Sequence, residues 1–281
     1  MITCNLMGGL GNQLFQIFST IAYAIKSRNQ FKFLGAETLG GDGCTLRYTF
    51  WKTLLSNLKP FLIPNIPPCH TIREKGFDYN ELSIIEMVNR DILIFGYFQS
   101  YKYFDTHYST IYKLIGIEQK KQELFNKLQT TSVDFDNTIS MHFRIGDYIN
   151  IQYVHPIATY NYYESALSYI SSNNPTKEYN IFFFCEDTDI GYVLNTINHL
   201  AVKFPSYKFI RGDNTLADWE QMLLMSFCHH NIIANSSFSW WGAYFNSHPD
   251  KIVCYPSDWF GPTIKNDTKD LCPPEWVKIS V

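Results

Sequence analysis

Several familiar features are missing from this sequence. No run of lysine and arginine exceeds two residues and the formal net charge is -3, so there is no basic track for a nucleic-acid backbone. The seven cysteines, Cys4, Cys44, Cys69, Cys185, Cys228, Cys254 and Cys272, form no C-x-x-C pair, which removes the common zinc and dithiol motifs. Their odd number and their place inside apolar runs fit free thiols in a reducing compartment. No histidine pair has metal-ligand spacing on a helix, and His229 and His230 are expected to point to opposite sides, leaving one at most for any site. The chain enters Ile2-Thr3-Cys4-Asn5-Leu6 directly, with no basic leader, apolar h-region or spanning segment. The expectation is a cytoplasmic protein, soluble or peripheral to a membrane. Charged residues make up only 17% against 46% hydrophobic, a composition that folds rather than staying disordered.

Two phosphate motifs are also incomplete. Met7-Gly8-Gly9-Leu10-Gly11-Asn12-Gln13 follows the first strand, but no Gly-Lys-Ser/Thr is present, and Leu14 stands where the dinucleotide fingerprint needs its third glycine. The stretch reads either as a tight strand-to-helix connection or as a loop whose free N–H groups approach a ligand. A helix follows with Leu14, Phe18, Ile21 and Ile25 on one face and Phe15 and Ala22 beside them.

The middle of the first half is less regular. It suggests a strand at 31–34, a polar loop at 40–44, a helix near 50–58 and a proline-rich crossing at 60–68. A strand at 92–98 and helices at 100–114 and 119–128 follow. The aromatic run from Tyr97 to Tyr112 serves either an acceptor cleft or core packing. A polar, unpatterned stretch at 129–136 marks the expected domain boundary.

Beyond it, strands and helices alternate: a strand through Ile139 and Met141, a helix at 159–170, a strand at 180–185, a helix to about 197, a strand at 207–210, a helix at 216–228 and a strand at 231–234. That spacing predicts a parallel, doubly wound sheet, and right-handed crossovers put the loops after Ala234, Cys185 and Met141 on one edge. Two of these loops carry chemistry. His142-Phe143-Arg144-Ile145-Gly146-Asp147-Tyr148 brings a fixed cation, a titratable ring and a carboxylate onto one turn, which suits an anion or, alternatively, a surface ion pair. Asn235-Ser236-Ser237-Phe238-Ser239 delivers an amide and three hydroxyls to a helix start, as a phosphate cradle or, more simply, as a helix cap.

Together, GGLGNQLFQ at 8–16, HFRIGDY at 142–148 and HNIIANSSFSWWGAYF at 230–245 resemble the α-1,2-fucosyltransferases of glycosyltransferase family 11. The resemblance implies an α/β GT-B architecture of two Rossmann-like domains facing across a cleft, residues 1–130 on the acceptor side and 131–281 binding a GDP-sugar. It implies an inverting, metal-independent α-1,2-fucosyltransferase with no cofactor, moving L-fucose from GDP-β-L-fucose to the 2-OH of a galactose-terminated glycan. Arg144 and Asp147 would be catalytic. His142, Arg144, Asn235, Ser236, Ser237 and Phe238 would hold the donor, and Gly11 and Asn12 would face the fucose. Ile145 departs from the family's second arginine, and Cys185-Glu186-Asp187 from its Ser-Asp-Asp, leaving Asp187 without an assigned role. The alternatives are another linkage or acceptor, an O-fucosyl or other GDP-6-deoxyhexose transferase, or an inactive sugar-nucleotide or glycan-binding module.

Overall fold

The computed structural model describes residues 1–40, 45–84, 90–128 and 134–281. The expected loop at 40–44, apart from Gly40, and the boundary between 130 and 131 fall outside them. The chain divides into two compact units, residues 1–125 with 266–273 and residues 126–265 with 274–281. A single cut near 130 does not anticipate that Asn266–Pro273 belongs with the first unit.

In the first unit, β1 (Ile2–Cys4) leads into α1 (Leu10–Lys26). Short strands β2 (Phe33–Leu34), β3 (Thr38–Leu39), β4 (Arg47–Tyr48) and β5 (Leu62–Ile63) precede β6 (Cys69–Arg73) and β7 (Asp91–Phe95). Helices α2 (Tyr108–Ile115) and α3 (Ile117–Leu128) follow. The main sheet is parallel in the order β1-β7-β6. From Leu10 to Ala24, α1 is buried almost all round, whereas Ile25, expected on its apolar face, is exposed. An amphipathic stripe therefore understates a helix packed on all sides.

Two expected helices are shorter than the sequence suggested. The 50–58 region is a set of turns ending in a 3-10 helix, Ser56–Phe61, where Pro60 lacks the N–H that an α-helix requires. The stretch from 100 breaks into 3-10 turns at Tyr101–Tyr103 and Asp105–His107 before α2 begins. The returning segment is secured by Asp270: its carbonyl accepts from Ser100 Oγ at 2.6 Å, and its carboxylate accepts from Tyr79 N at 3.2 Å and pairs with Lys102.

In the second unit the alternation holds: β8 (Thr138–His142), α4 (Tyr160–Asn173), β9 (Asn180–Phe184), α5 (Ile190–Lys203), β10 (Lys208–Arg211), α6 (Asp218–Met225), β11 (His230–Ile232) and α7 (Ser237–Tyr244). Two strands that the alternation did not predict, β12 (Val253–Pro256) and β13 (Val277–Ile279), complete the sheet. All six strands are parallel, in the order β10-β9-β8-β11-β12-β13. Every residue of β8 is buried, because its sheet is covered on both faces. Ile139, Met141, Ile181, Phe183 and Ile232 pack with Tyr162, Tyr163 and Leu167 of α4. The chain winds outward from β8 through β9 to β10, then returns to the other side of β8 at β11. That reversal leaves a crevice at the carboxyl ends of β8 and β11, where open α/β sheets bind their ligands.

Candidate active site

Both chemistry-bearing loops of the second unit leave the sheet at that reversal. The pairing of Met141 with Ile232 brings the carboxyl ends of β8 and β11 side by side. The His142 ring lies 5.7 Å from the Phe238 ring, and the Tyr148 hydroxyl is 3.4 Å from the Asn235 carbonyl. The cation turn and the hydroxyl turn are therefore neighbours, as right-handed crossovers require.

Arg144 is clamped. Its NH1 donates to Glu186 Oε1 at 2.5 Å, its NH2 donates to Asp147 Oδ1 at 2.5 Å, and the Tyr148 ring lies 4.9 Å from the guanidinium carbon. Planar guanidinium suits this arrangement, with carboxylates at its edge and an aromatic ring against its face. Gly146 turns the loop back with φ +39° and donates its N–H to Asp189 at 2.8 Å. Glu186, Tyr148 and Asp189 were not singled out from the sequence. The run Cys185-Glu186-Asp187 flagged carboxylates, but which of them meets Arg144 depends on how the loop after β9 folds. Asp187 turns away to Asn214 and Arg211, whose hydrogen bonds hold its carboxyl below the usual range. Ile145 is a core side chain, 3% exposed, so the chain uses that position for packing.

His142 is buried, its Nδ1 has no hydrogen-bond partner, and burial, reinforced by the charge of Arg144, lowers its pKa to about 3. The ring is neutral at physiological pH, a polar group without charge. His230 is lowered to about 3 as well, by burial first and then by His229. Contrary to expectation, the His229 and His230 rings lie side by side at 4.3 Å, because β11 begins only at His230. They sit at the opposite end of β11 from the site: His230 Nε2 is 3.0 Å from the Tyr179 hydroxyl, and His229 Nδ1 is 2.9 Å from the Asp136 carbonyl.

The two strongly depressed histidines, His142 and His230, set a pH dependence of stability. Their folded values lie below the ordinary 6.5, so the unfolded chain takes up protons first as pH falls. Stability from keeping them neutral is complete above about pH 6.5 and drains away toward pH 3. Urea midpoints at pH 7, 6 and 5 should fall progressively, and less steeply in His142→Phe. A flat profile over that range would contradict the assignment.

In the hydroxyl turn, part of the polar set is already in use. Asn235 Nδ2 donates to the Pro156 carbonyl at 2.9 Å and the Trp259 carbonyl at 3.2 Å, tying two loops to the site. The Ser236 hydroxyl caps α7 by accepting from Phe238 N at 3.3 Å, and Ser239 Oγ lies 3.4 Å from the Ser236 carbonyl. Ser237, half-buried, begins α7, and the Asn235 Oδ1 is buried without a partner.

In the first unit, Gly11 and Asn12 fall within the first turn of α1 rather than in a loop before it. Gly8, with φ +74°, makes the turn, and two buried amides hold it. Gln16 accepts from Met7 N at 2.8 Å and donates to Met7 O at 3.0 Å; Gln13 donates to Gly8 O at 3.0 Å and Tyr48 O at 2.9 Å. These glutamines satisfy backbone groups that a strand-to-helix turn leaves open, a function that polar residues at a helix start did not disclose in the sequence. Asn12 Oδ1 accepts from Gln99 Nε2 at 2.8 Å.

A doubly wound sheet with a clamped arginine and a hydroxyl-bearing helix start at its switch point is the arrangement of an α/β anion-binding enzyme. The family model for Glycosyl transferase family 11 matches residues 79–280, and the chain belongs to that family of glycosyltransferases. Among relatives, an Alpha-1,2-colitosyltransferase of Escherichia coli is 28% identical, with 99% of each chain covered. The O-antigen biosynthesis glycosyltransferase WbnK of Escherichia coli is 27% identical over 99% of this chain and all of the relative. A mutant of Arabidopsis thaliana FUT1, solved in complex with GDP, superposes with a TM-score of 0.50 and 11% identity, over 90% of this chain and 70% of that one. The fold is thus the GT-B-like α/β class that the sequence motifs implied. Among the described residues, no helix is long and apolar enough to cross a membrane.

Proposed function

We propose that the protein is an inverting, metal-independent α-1,2-fucosyltransferase, taking L-fucose from GDP-β-L-fucose to the 2-OH of a terminal galactoside. The observation that supports this most is that the turn carrying Arg144 meets the Asn235–Phe238 turn at the reversal of the sheet, through His142 against Phe238 and Tyr148 against Asn235. In the reaction, the bond from fucose C1 to the β-phosphate oxygen breaks while the galactose O2 bonds to C1 from the opposite face. GDP departs with the bonding pair, and the hydroxyl proton passes to a base. Charge grows on the diphosphate in the transition state, and a fixed guanidinium with α7's N–H groups meets it without reorganisation. His142 and Phe238 would flank the nucleotide end, Asn235 would frame the cradle, and Gly11 and Asn12 would face the sugar. Asp147 suits a brace: a carboxylate in a salt bridge must leave its partner before it reaches an acceptor hydroxyl.

Ser237→Ala should raise the GDP dissociation constant about threefold to tenfold, the net worth of one ordinary hydrogen bond. Calorimetry checks it, and an unchanged constant would leave the serines as cap residues only. The 1,2-colitosyl relative favours one second reading, transfer of another GDP-deoxyhexose through the same site. Incubation with GDP-fucose, GDP-colitose or GDP-mannose, a galactoside panel and EDTA, followed by linkage analysis by NMR, decides between them. An EDTA-resistant α-1,2-fucosyl product supports the proposal. Transfer only from GDP-colitose supports the second reading, and loss of transfer in EDTA rejects metal independence.

A further inference from the structure

The carboxyl edge of the first unit's sheet carries a feature that packing alone does not require. Glu74, the residue after β6, accepts the N–H groups of Tyr97 at 2.8 Å and Phe98 at 2.9 Å, in the turn after β7. Burial raises its pKa, opposed by those backbone bonds. Gly96 makes room for it, since a Cβ there would lie 2.5 Å from Glu74 Oε2. Phe98 is held at φ +52°, a left-handed conformation that bulky residues rarely adopt. A desolvated carboxylate, a glycine at a strand end and a strained phenylalanine each carry a cost. Their concentration in one turn marks a rigid, over-determined support of the kind that clusters at functional sites.

The turn buries Phe98 completely and leaves the Tyr97 ring 42% exposed. Gln99, next in the chain, reaches Asn12 in the first turn of α1. Through Gln13 the same region also holds the Tyr48 carbonyl, on a residue whose side chain is 67% exposed. Single exposed aromatics are ordinary on a protein surface. Here the backbone that carries the ring is fixed by Glu74, and two residues further on Gln99 supplies an amide side chain. Flat apolar face plus convergent amides is the chemistry that receives a pyranose ring, whose C–H face packs on an aromatic while its hydroxyls pair with amides.

We propose that Tyr97, braced by Glu74, is the stacking platform of the acceptor-sugar subsite, with Gln99 as its hydrogen-bonding neighbour. This deepens the transferase reading and rests on it for the identity of the sugar. Of the aromatic run 97–112, it singles out Tyr97 as the ring that serves a ligand, while Phe98 and Phe104 serve the core.

Saturation-transfer NMR with lactose, alongside acceptor kinetics, tests the proposal on the full chain. Tyr97→Ala should weaken lactose binding and raise the acceptor KM about tenfold, with kcat at saturating acceptor nearly unchanged. Tyr97→Phe should retain wild-type values, because the ring face and not the hydroxyl does the stacking. GDP affinity by calorimetry and the melting temperature report separately on the donor site and the fold. Wild-type lactose affinity in Tyr97→Ala overturns the platform, as does a wild-type protein that binds GDP but no galactoside. Tyr97-dependent lactose binding in a protein that ignores GDP keeps the platform and overturns the transferase reading instead.

Discussion

Arg144→Ala lowers kcat/KM for transfer by about 100-fold or more, the range seen when one preorganised donor to a developing oxyanion is removed. A charge-assisted contact to phosphate contributes roughly 1.5 to 3 kcal/mol where water competes and more where it is excluded. The fold survives, because the two carboxylates that Arg144 holds, Asp147 and Glu186, are each 57% exposed and return to water when it is gone. Arg144→Lys is also poor: a single ammonium cannot hold two carboxylates and a diphosphate in one plane. Steady-state kinetics with a parallel thermal melt measures both. A well-folded Arg144→Ala protein with wild-type turnover removes the residue from the reaction.

The second large effect is on stability. Asn231, fully buried in β11, donates to Ser140 Oγ at 2.7 Å and to the Met225 carbonyl at 2.9 Å, and its Oδ1 accepts from Asn246 at 2.8 Å. Asn246 in turn donates to the Cys228 carbonyl at 2.8 Å and the His229 carbonyl at 3.2 Å, just past the end of α7. Asn231→Leu fits the volume but strands a hydroxyl and a carbonyl in the interior and takes one acceptor from the Asn246 amide. Stranded partners cost more than the bonds are worth, so the loss is about 3 kcal/mol. The melting temperature should fall by about 6 °C or more. GDP binding should weaken with it, since Asn246 anchors the far end of the helix whose start carries Ser236 and Ser237. An unchanged melting temperature would show the network to be dispensable.

The second unit was more legible in the sequence than the first, for a physical reason. Its central strands are covered on both faces, so they appear as apolar runs such as Ile181–Phe184, and the polar residues collect in the loops that follow. Parallel alternation then fixes which loops share an edge, and the turns that carry Arg144 and Ser236 emerge as neighbours without coordinates. The first unit obscures itself. Several of its strands are only two residues long, its helix α1 is buried nearly all round, and its turns are held by tertiary bonds such as Gln13 to Tyr48 and Ser100 to Asp270. Sequence spacing does not encode those bonds. The same limit hid Glu186 as a clamp on Arg144, and it left Tyr97 undistinguished within the aromatic run 97–112, of which it is an exposed member.

The proposed reaction requires that Arg144 and the start of α7 grip a diphosphate. Titrating GDP and GMP by calorimetry into wild type and Arg144→Ala isolates the terminal phosphate from the rest of the nucleotide. The account predicts that GDP binds wild type at least tenfold more tightly than GMP, and that the mutation erases most of that gap while leaving GMP affinity nearly intact. The same GDP-to-GMP ratio in both proteins would contradict it.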